Sequence, residues 1–318
     1  MYFSALSKNA QKPRHLYPSY LFAIAEWHLE HAHEPLEITA RKIKRYYDGN
    51  DDFKQHLWET LYAGFLDAVS RGIVSDSPSS ICAGNDTLKA IAHICRNSLY
   101  GKRGIKLVIS YNYDSLLETA LGDYPFQVIF KSDSLQRGKL PIYHVHGYVP
   151  LNFAEFTDHE IVFTEDQYHR SAKDAYSWAN PVQIQALSSL TGLMIGLSLS
   201  DRNMRRLLDA VSQIPIETNN YALLKEPVWK KPDDTELRRI NEKVILYSHR
   251  FEDSGVKTDI LSSSAVDNVC QDQINSIIDE VRHVDVEQQT FILEQLGIHP
   301  IWYRDHDEIP QIFNAISQ

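Results

Sequence analysis

Cysteine is scarce. The 318 residues hold three, Cys82, Cys95 and Cys270, and no two of them form a Cys-x-x-Cys pair. That spacing supports neither a zinc ribbon nor a disulfide framework. Long apolar runs are lacking too: no stretch of about 18 apolar residues offers a membrane span. Nor is there a basic excess, since 32 Lys and Arg face 42 Asp and Glu, for a formal net charge of -10. A general nucleic-acid binder needs a basic face to neutralise phosphates, so that class is not expected. The start, MYFSALSKNAQKPRH, turns polar almost at once, unlike a signal peptide. A cytoplasmic protein is the simple expectation.

What is present is ordinary globular material, 43% hydrophobic and 23% charged, long enough to bury a substantial core. Residues from about 17 to 100 read as helical, with apolar side chains recurring every three and four positions in YPSYLFAIAEWHLEHAH and FKQHLWETLYAGFLDAVSRG. NDTLKAIAHICRNSLYGKRG is a further helix, capped by Asn85 or Asp86 and ended by Gly101 or Gly104. From there short apolar strands alternate with helices. The strands are expected at 106–110, 126–130, 141–147, 160–164, 192–199, 220–226, 243–248 and 298–303, and the helices at 115–121, 166–190, 201–212, 264–296 and 306–316. Such alternation implies right-handed crossovers and a mostly parallel sheet. The expected fold is α/β: a doubly wound, Rossmann-like parallel sheet with an N-terminal helical subdomain. The expected division is one domain over 1–318, with helices over 14–104 and a core over 105–318 that carries the long helix 264–296.

Three stretches carry candidate chemistry. In KLVISYNYDSLLE, Ser110, Asn112 and Asp114 follow a buried strand. Such residues serve as turn or cap residues more often than as a site. In IYHVHGYVP, His144 and His146 stand two apart and share one strand face, with no Asp, Glu or Cys at a supporting metal-ligand spacing. His146 precedes Gly147, which lets the backbone turn sharply and present the ring to a ligand. In GLMIGLSLSDRNMRRLL, Gly196, Ser198, Ser200 and Asp201 lie at a strand-to-helix turn. Small residues there admit a phosphate or ribose at the helix N-terminus, though Ser200 and Asp201 are also good N-caps. HLEHAH (His28, His31, His33) reads as solvated helix surface, and RDHDE (Arg304 to Glu308) as the cap of the last helix.

The order strand-SYNYD, strand-HVHG, strand-GLSLSD resembles the sirtuin-like family, and within it the bacterial domains of anti-phage defence, whose pattern is T-x-N-Y-D, H-G and G-x-S-x-x-D. The resemblance runs over 106–226 and again over 297–316. It implies a Rossmann-like sheet with a helical module and NAD bound in the crevice between them. It further implies that Asn112 orients a water or the nicotinamide ribose, that Asp114 supports the nicotinamide side, and that His146 acts as general base or polariser. Ser110, Gly147, Gly196, Ser198 and Asp201 would line the cofactor. Protein-deacylating sirtuins carry a four-cysteine zinc module, which three scattered cysteines cannot supply, so zinc is not expected and NAD hydrolysis fits better than deacylation. The family also opens with a glycine-rich phosphate loop, where this chain has SALSKNAQ without glycine. A loop before Met1, a degenerate loop and a loop supplied by a partner chain all remain open.

The leading expectation is therefore an NAD glycohydrolase that acts as effector of a prokaryotic anti-phage system. It would be held inactive until triggered, by homo-oligomerisation or by a defence-system partner, with the N-terminal helices and helix 264–296 as interfaces. The alternative is a catalytically weak module that binds NAD or ADP-ribose as a sensor.

Overall fold

The computed structural model describes residues 36–44, 50–73, 75, 77–97, 104–156, 161–168, 177–215, 218–228, 232–233, 235–236, 238–240 and 271–316. The expected strand at 243–248, the start of helix 264–296, the histidines of HLEHAH and the SALSKNAQ stretch lie outside the described residues.

Four helices come first: α1 (Leu36–Lys44), α2 (Asn50–Leu61), α3 (Ala63–Ser70) and α4 (Asp86–Asn97). Asn85 begins α4 by accepting from the Leu88 N–H at 2.9 Å, one of the two caps expected. The alternation then runs β1 (Val108–Ser110), α5 (Leu116–Leu121), β2 (Phe126–Ile129), β3 (Leu140–His144), α6 (Ala179–Ser189), β4 (Gly192–Ile195), α7 (Arg202–Ser212), β5 (Asn220–Lys225), α8 (Gln271–Gln295), β6 (Ile298–Tyr303) and α9 (Glu308–Ile316). Every strand pair is parallel, in two three-stranded ladders of order β1-β3-β2 and β4-β5-β6.

Helices cover both faces, as the strand periodicity of two demands. On β5, Ala222 and Leu224 pack with Leu187 of α6 and Met204, Leu208 and Val211 of α7. Leu223, between them, faces the opposite way, onto Ile91 and Ile94 of α4 and Phe313 of α9. On β3, Ile142 faces Ala92 and Cys95 of α4, while Tyr143 turns to Ala179 of α6. Helix α4 thus covers one face of both ladders and α6 the other. This is a doubly wound α/β fold.

Four expected elements differ in detail. Residues 161–163 form no ladder, because the Phe163 and Thr164 N–H groups are taken by the Gln167 side chain at 3.0 and 2.9 Å. Strand β3 stops at His144, ahead of Gly147 at φ 103°, and β4 stops at Ile195, ahead of Gly196 at φ 68° and Leu199 at φ 53°. Of the helix expected over 166–190, residues 169–176 lie outside the described residues, Ser177 and Trp178 are not helical, and α6 begins at Ala179.

Candidate functional site

Parallel pairing brings the first two candidate stretches together at the carboxyl ends of β1 and β3. Ser110 of β1 lies opposite His144 of β3, so Asn112 and His146 each stand two residues beyond the last paired position. Both chains leave the sheet at their carboxyl ends, where open α/β sheets bind ligands. The ladder extends one step past the strands, with the Val145 N–H donating to the Ser110 carbonyl at 3.2 Å.

The two histidines part company there. His144 and His146 were expected on one face, but the strand ends between them and their rings point to different partners. His144 is 1% exposed; its Nδ1 lies 3.0 Å from the Asn112 carbonyl and its Nε2 2.7 Å from Glu118 Oε1. His146 sits between two tyrosines, with ring centroids 5.4 Å from Tyr111 and 5.3 Å from Tyr168, both edge-on. Burial holds the His146 pKa below its usual value, partly offset by the Asp201 charge and by a hydrogen bond to the Tyr111 backbone. A ring N–H donating to that carbonyl leaves the other ring nitrogen bare, the form a general base needs at neutral pH.

Asn112 is exposed. Its N–H donates to Ser110 Oγ at 3.2 Å, and Ser110 Oγ in turn reaches the Asn112 carbonyl at 3.3 Å. Ser110 therefore acts on the loop itself. Asp114, one residue ahead of the N-cap Ser115, accepts from the Leu116 N–H at 3.1 Å and so satisfies the first amide of α5. Burial is the largest influence on its carboxyl and raises its pKa above the ordinary range.

The third stretch closes on the same place. Asp201 accepts from the Met204 N–H at 2.8 Å and so caps α7, while its charge bears on both His146 and Tyr111. Gly196, at φ 68°, has nothing within 4 Å of where a Cβ would stand. Ser198 and Ser200 share a hydrogen bond of 2.6 Å on the exposed side of that turn. Leu199 adopts a positive φ with its side chain 3% exposed in the core, an anchor that a leucine reaches only under strain.

Several residues of the site escaped the sequence reading. Tyr111 ties β1 to both neighbouring helices: its hydroxyl donates to Gln183 Oε1 at 2.5 Å and lies 3.5 Å from Met204 Sδ. Gln183 is held in turn by its own donation to the Ala179 carbonyl at 3.0 Å. Tyr113 donates to the Val162 carbonyl at 2.6 Å, and the Val162 N–H donates to the His146 carbonyl at 2.8 Å. From the N-terminal helices, Tyr62 donates to the Val149 carbonyl at 2.7 Å and receives the Ser115 N–H at 3.0 Å. The alternating tyrosines of SYNYD were the available signal for the first and third of these. Nothing local marks Gln183, whose polar role appears only once α6 packs on Tyr111. Among the described residues no cluster of three His, Cys, Asp or Glu could hold a metal ion.

Residues 106–247 match the family model of the SIR2-like domain, a span that takes in all three stretches. A search of curated proteins returns no match. SIR2-like domains are generally NAD-dependent, and the match suggests an NAD-related activity. Over residues 106–247 the chain is similar to the SIR2-like domain, and within that span Asn112 and His146 stand beyond the carboxyl ends of β1 and β3.

Proposed function

We propose that the protein is an NAD glycohydrolase that cleaves NAD to nicotinamide and ADP-ribose, and that it serves as effector of a prokaryotic anti-phage defence system. The observation that carries this reading is the pairing at the carboxyl ends of β1 and β3. An exposed carboxamide, Asn112, and a half-buried imidazole held below its usual pKa, His146, stand at equivalent positions beyond paired residues.

The chemistry needs little else from the protein. Breaking the nicotinamide–ribose bond returns the bonding electrons to the pyridinium nitrogen, so nicotinamide leaves neutral and positive charge gathers on the sugar. Water then adds at C1′ and loses a proton. Asn112 would orient that water or the ribose, and the bare nitrogen of His146 would take the proton. Asp114 and Asp201 would supply negative potential towards the cationic sugar. Gly147, at φ 103°, gives the chain the turn that sets His146 at the edge. Gly196 leaves room for a ligand beside Ser198. Because Asp201 already places a carboxylate at the N-cap of α7, that helix end suits a ribose diol better than a phosphate.

An activity that drains NAD needs a gate, and self-association through α8 is the proposed one. Ile277, Val281, Val284 and Phe291 are all exposed, spaced four, three and seven residues apart, the spacing of a helix–helix seam. A defence-system partner would act through the same assembly. Expression in bacteria tests the reading: the wild-type protein, once triggered by phage, should lower cellular NAD and arrest growth, and His146→Ala should do neither. NAD loss that persists in His146→Ala would remove the proposed base from the reaction.

One observation favours the sensor alternative, a module that binds NAD or ADP-ribose with little turnover. Both acids of the site, Asp114 and Asp201, are engaged by backbone amides at helix starts. Micromolar NAD affinity with no nicotinamide release under any trigger would select it.

A further inference from the structure

Beneath Asn112 lies a buried polar pair that the proposed chemistry does not use. Glu118 is 6% exposed and His144 1%, and their side chains meet at 2.7 Å. Burying two such groups is costly unless their hydrogen bonds are well made, and replacement by apolar residues is often no worse for stability. Here the bonding is incomplete: Glu118 Oε2 has no hydrogen-bond partner among the described residues. Stability alone is thus a poor account of the pair.

Its geometry leads to the loop. The Asn112 carbonyl can only accept, so the His144 Nδ1, 3.0 Å away, carries a hydrogen and donates it. With Nδ1 so fixed, one proton lies between Nε2 and Glu118, whichever of the two holds it. Glu118 thereby sets both the orientation and the tautomer of the ring. The Asn112 N–H is held independently by Ser110 Oγ at 3.2 Å. Both backbone polar groups of Asn112 are therefore fastened while its side chain is exposed.

We infer that Glu118 and His144 are positioning residues: the pair grips the Asn112 carbonyl from below and so fixes the direction in which the Asn112 carboxamide meets its ligand. The role of that carboxamide rests on the NAD-hydrolysis reading; the grip itself does not. A misplacement of about 1 Å in a positioned group can cost on the order of a hundredfold in rate, so loss of the grip is expected to show in kcat before it shows in folding.

The test is the double variant Glu118→Met, His144→Phe, which fills the volume with apolar groups and removes the donor, beside Glu118→Gln, which can still hold the ring by donating to Nε2. Two readouts are taken on the full chain: the NMR order parameter of the Asn112 backbone amide without ligand, and nicotinamide release from NAD. In the wild type and Glu118→Gln the order parameter should stay near about 0.85, and in the double variant it should fall below about 0.6. The double variant should lose roughly 10- to 100-fold in kcat, with KM changed far less and the thermal midpoint kept within a few degrees. Glu118→Gln should retain turnover within about threefold. A folded double variant with an ordered Asn112 amide and kcat within twofold of wild type would overturn the inference. Should the wild type release no nicotinamide even when purified from phage-triggered cells, the hydrolase reading fails, and the order parameter alone still decides whether the pair positions Asn112.

Discussion

At the scale of the residue, His146 and Asp114 are both pushed towards neutrality by burial, and each push has a measurable sign. His146 is held below its usual pKa, so its ring stays neutral and basic to lower pH than a free histidine. The acid limb of kcat/KM for NAD should therefore fall below about pH 6.5, the free histidine value. A limb at or above that value in the wild type, shared by a His146-independent variant, would assign the titration elsewhere. The same shift bears on folding. The unfolded chain binds the proton more readily, so stability should decline as pH falls from about 6.5 through the lower folded value. Asp114 shows the opposite case, its carboxyl raised by burial. Asp114→Asn keeps an oxygen to accept the Leu116 N–H and removes the buried charge. The thermal midpoint at pH 7 should hold or rise while nicotinamide release drops. A lower midpoint would mean that the carboxylate is stabilising where it stands.

At the scale of the element, strands and helices were legible wherever period and caps agreed. The strand Ile298–Tyr303 was read to the residue, and β1, β2, β5, α5 and α7 to within two, because each apolar run is closed by a residue with its own turn or cap chemistry. The misreadings share a cause. Residues 160–164 have the composition of a strand, yet the Gln167 side chain takes the two amides a ladder would need. His144 and His146 obey strand alternation in the sequence, but the turn ahead of Gly147 begins between them. The candidate residues Asn112, His146 and Asp201 were found through their motifs. Glu118 and Gln183 were not, because their partners, His144 and Tyr111, lie 26 and 72 positions away. The junction of β4, β5 and α6 offers a test at this scale. Asn220, 1% exposed, accepts from the Gly192 N–H at 3.0 Å and donates to the Leu187 carbonyl at 2.9 Å. A Cβ on Gly192 would stand 2.4 Å from Asn220 Oδ1. Gly192→Ala should lower stability by about 1–3 kcal/mol, the cost of overpacking or of stranding a buried polar group. Urea unfolding with an unchanged slope reads this, and an unshifted midpoint would show that Asn220 yields freely.

At the scale of the whole molecule, the candidate stretches follow the carboxyl ends of parallel strands, and the N-terminal helices hold the segment after His146 through Tyr62, which donates to the Val149 carbonyl, and through Trp58, whose indole N–H donates to the Pro150 and Leu151 carbonyls at 3.1 and 3.0 Å. Events in the helices can thus be felt at the loop that follows His146. No helix among the described residues is long and apolar enough to cross a membrane. The exposed seam of α8 belongs to this scale as well. If it joins copies of the chain, Val281→Glu with Val284→Glu should reduce the molar mass found by light scattering and abolish triggered NAD loss together. A fall in mass with NAD loss intact would separate assembly from gating.

The central claim is that Asn112 and His146 cleave NAD at the end of the sheet. Release of free nicotinamide from NAD by the protein purified from phage-triggered cells, beside Asn112→Ala and His146→Ala prepared in the same way, tests it most directly. The account predicts release by the wild type that falls by at least about 100-fold in each variant, the loss of a general base or positioned group. Release that survives both substitutions, with the variants folded, would contradict it.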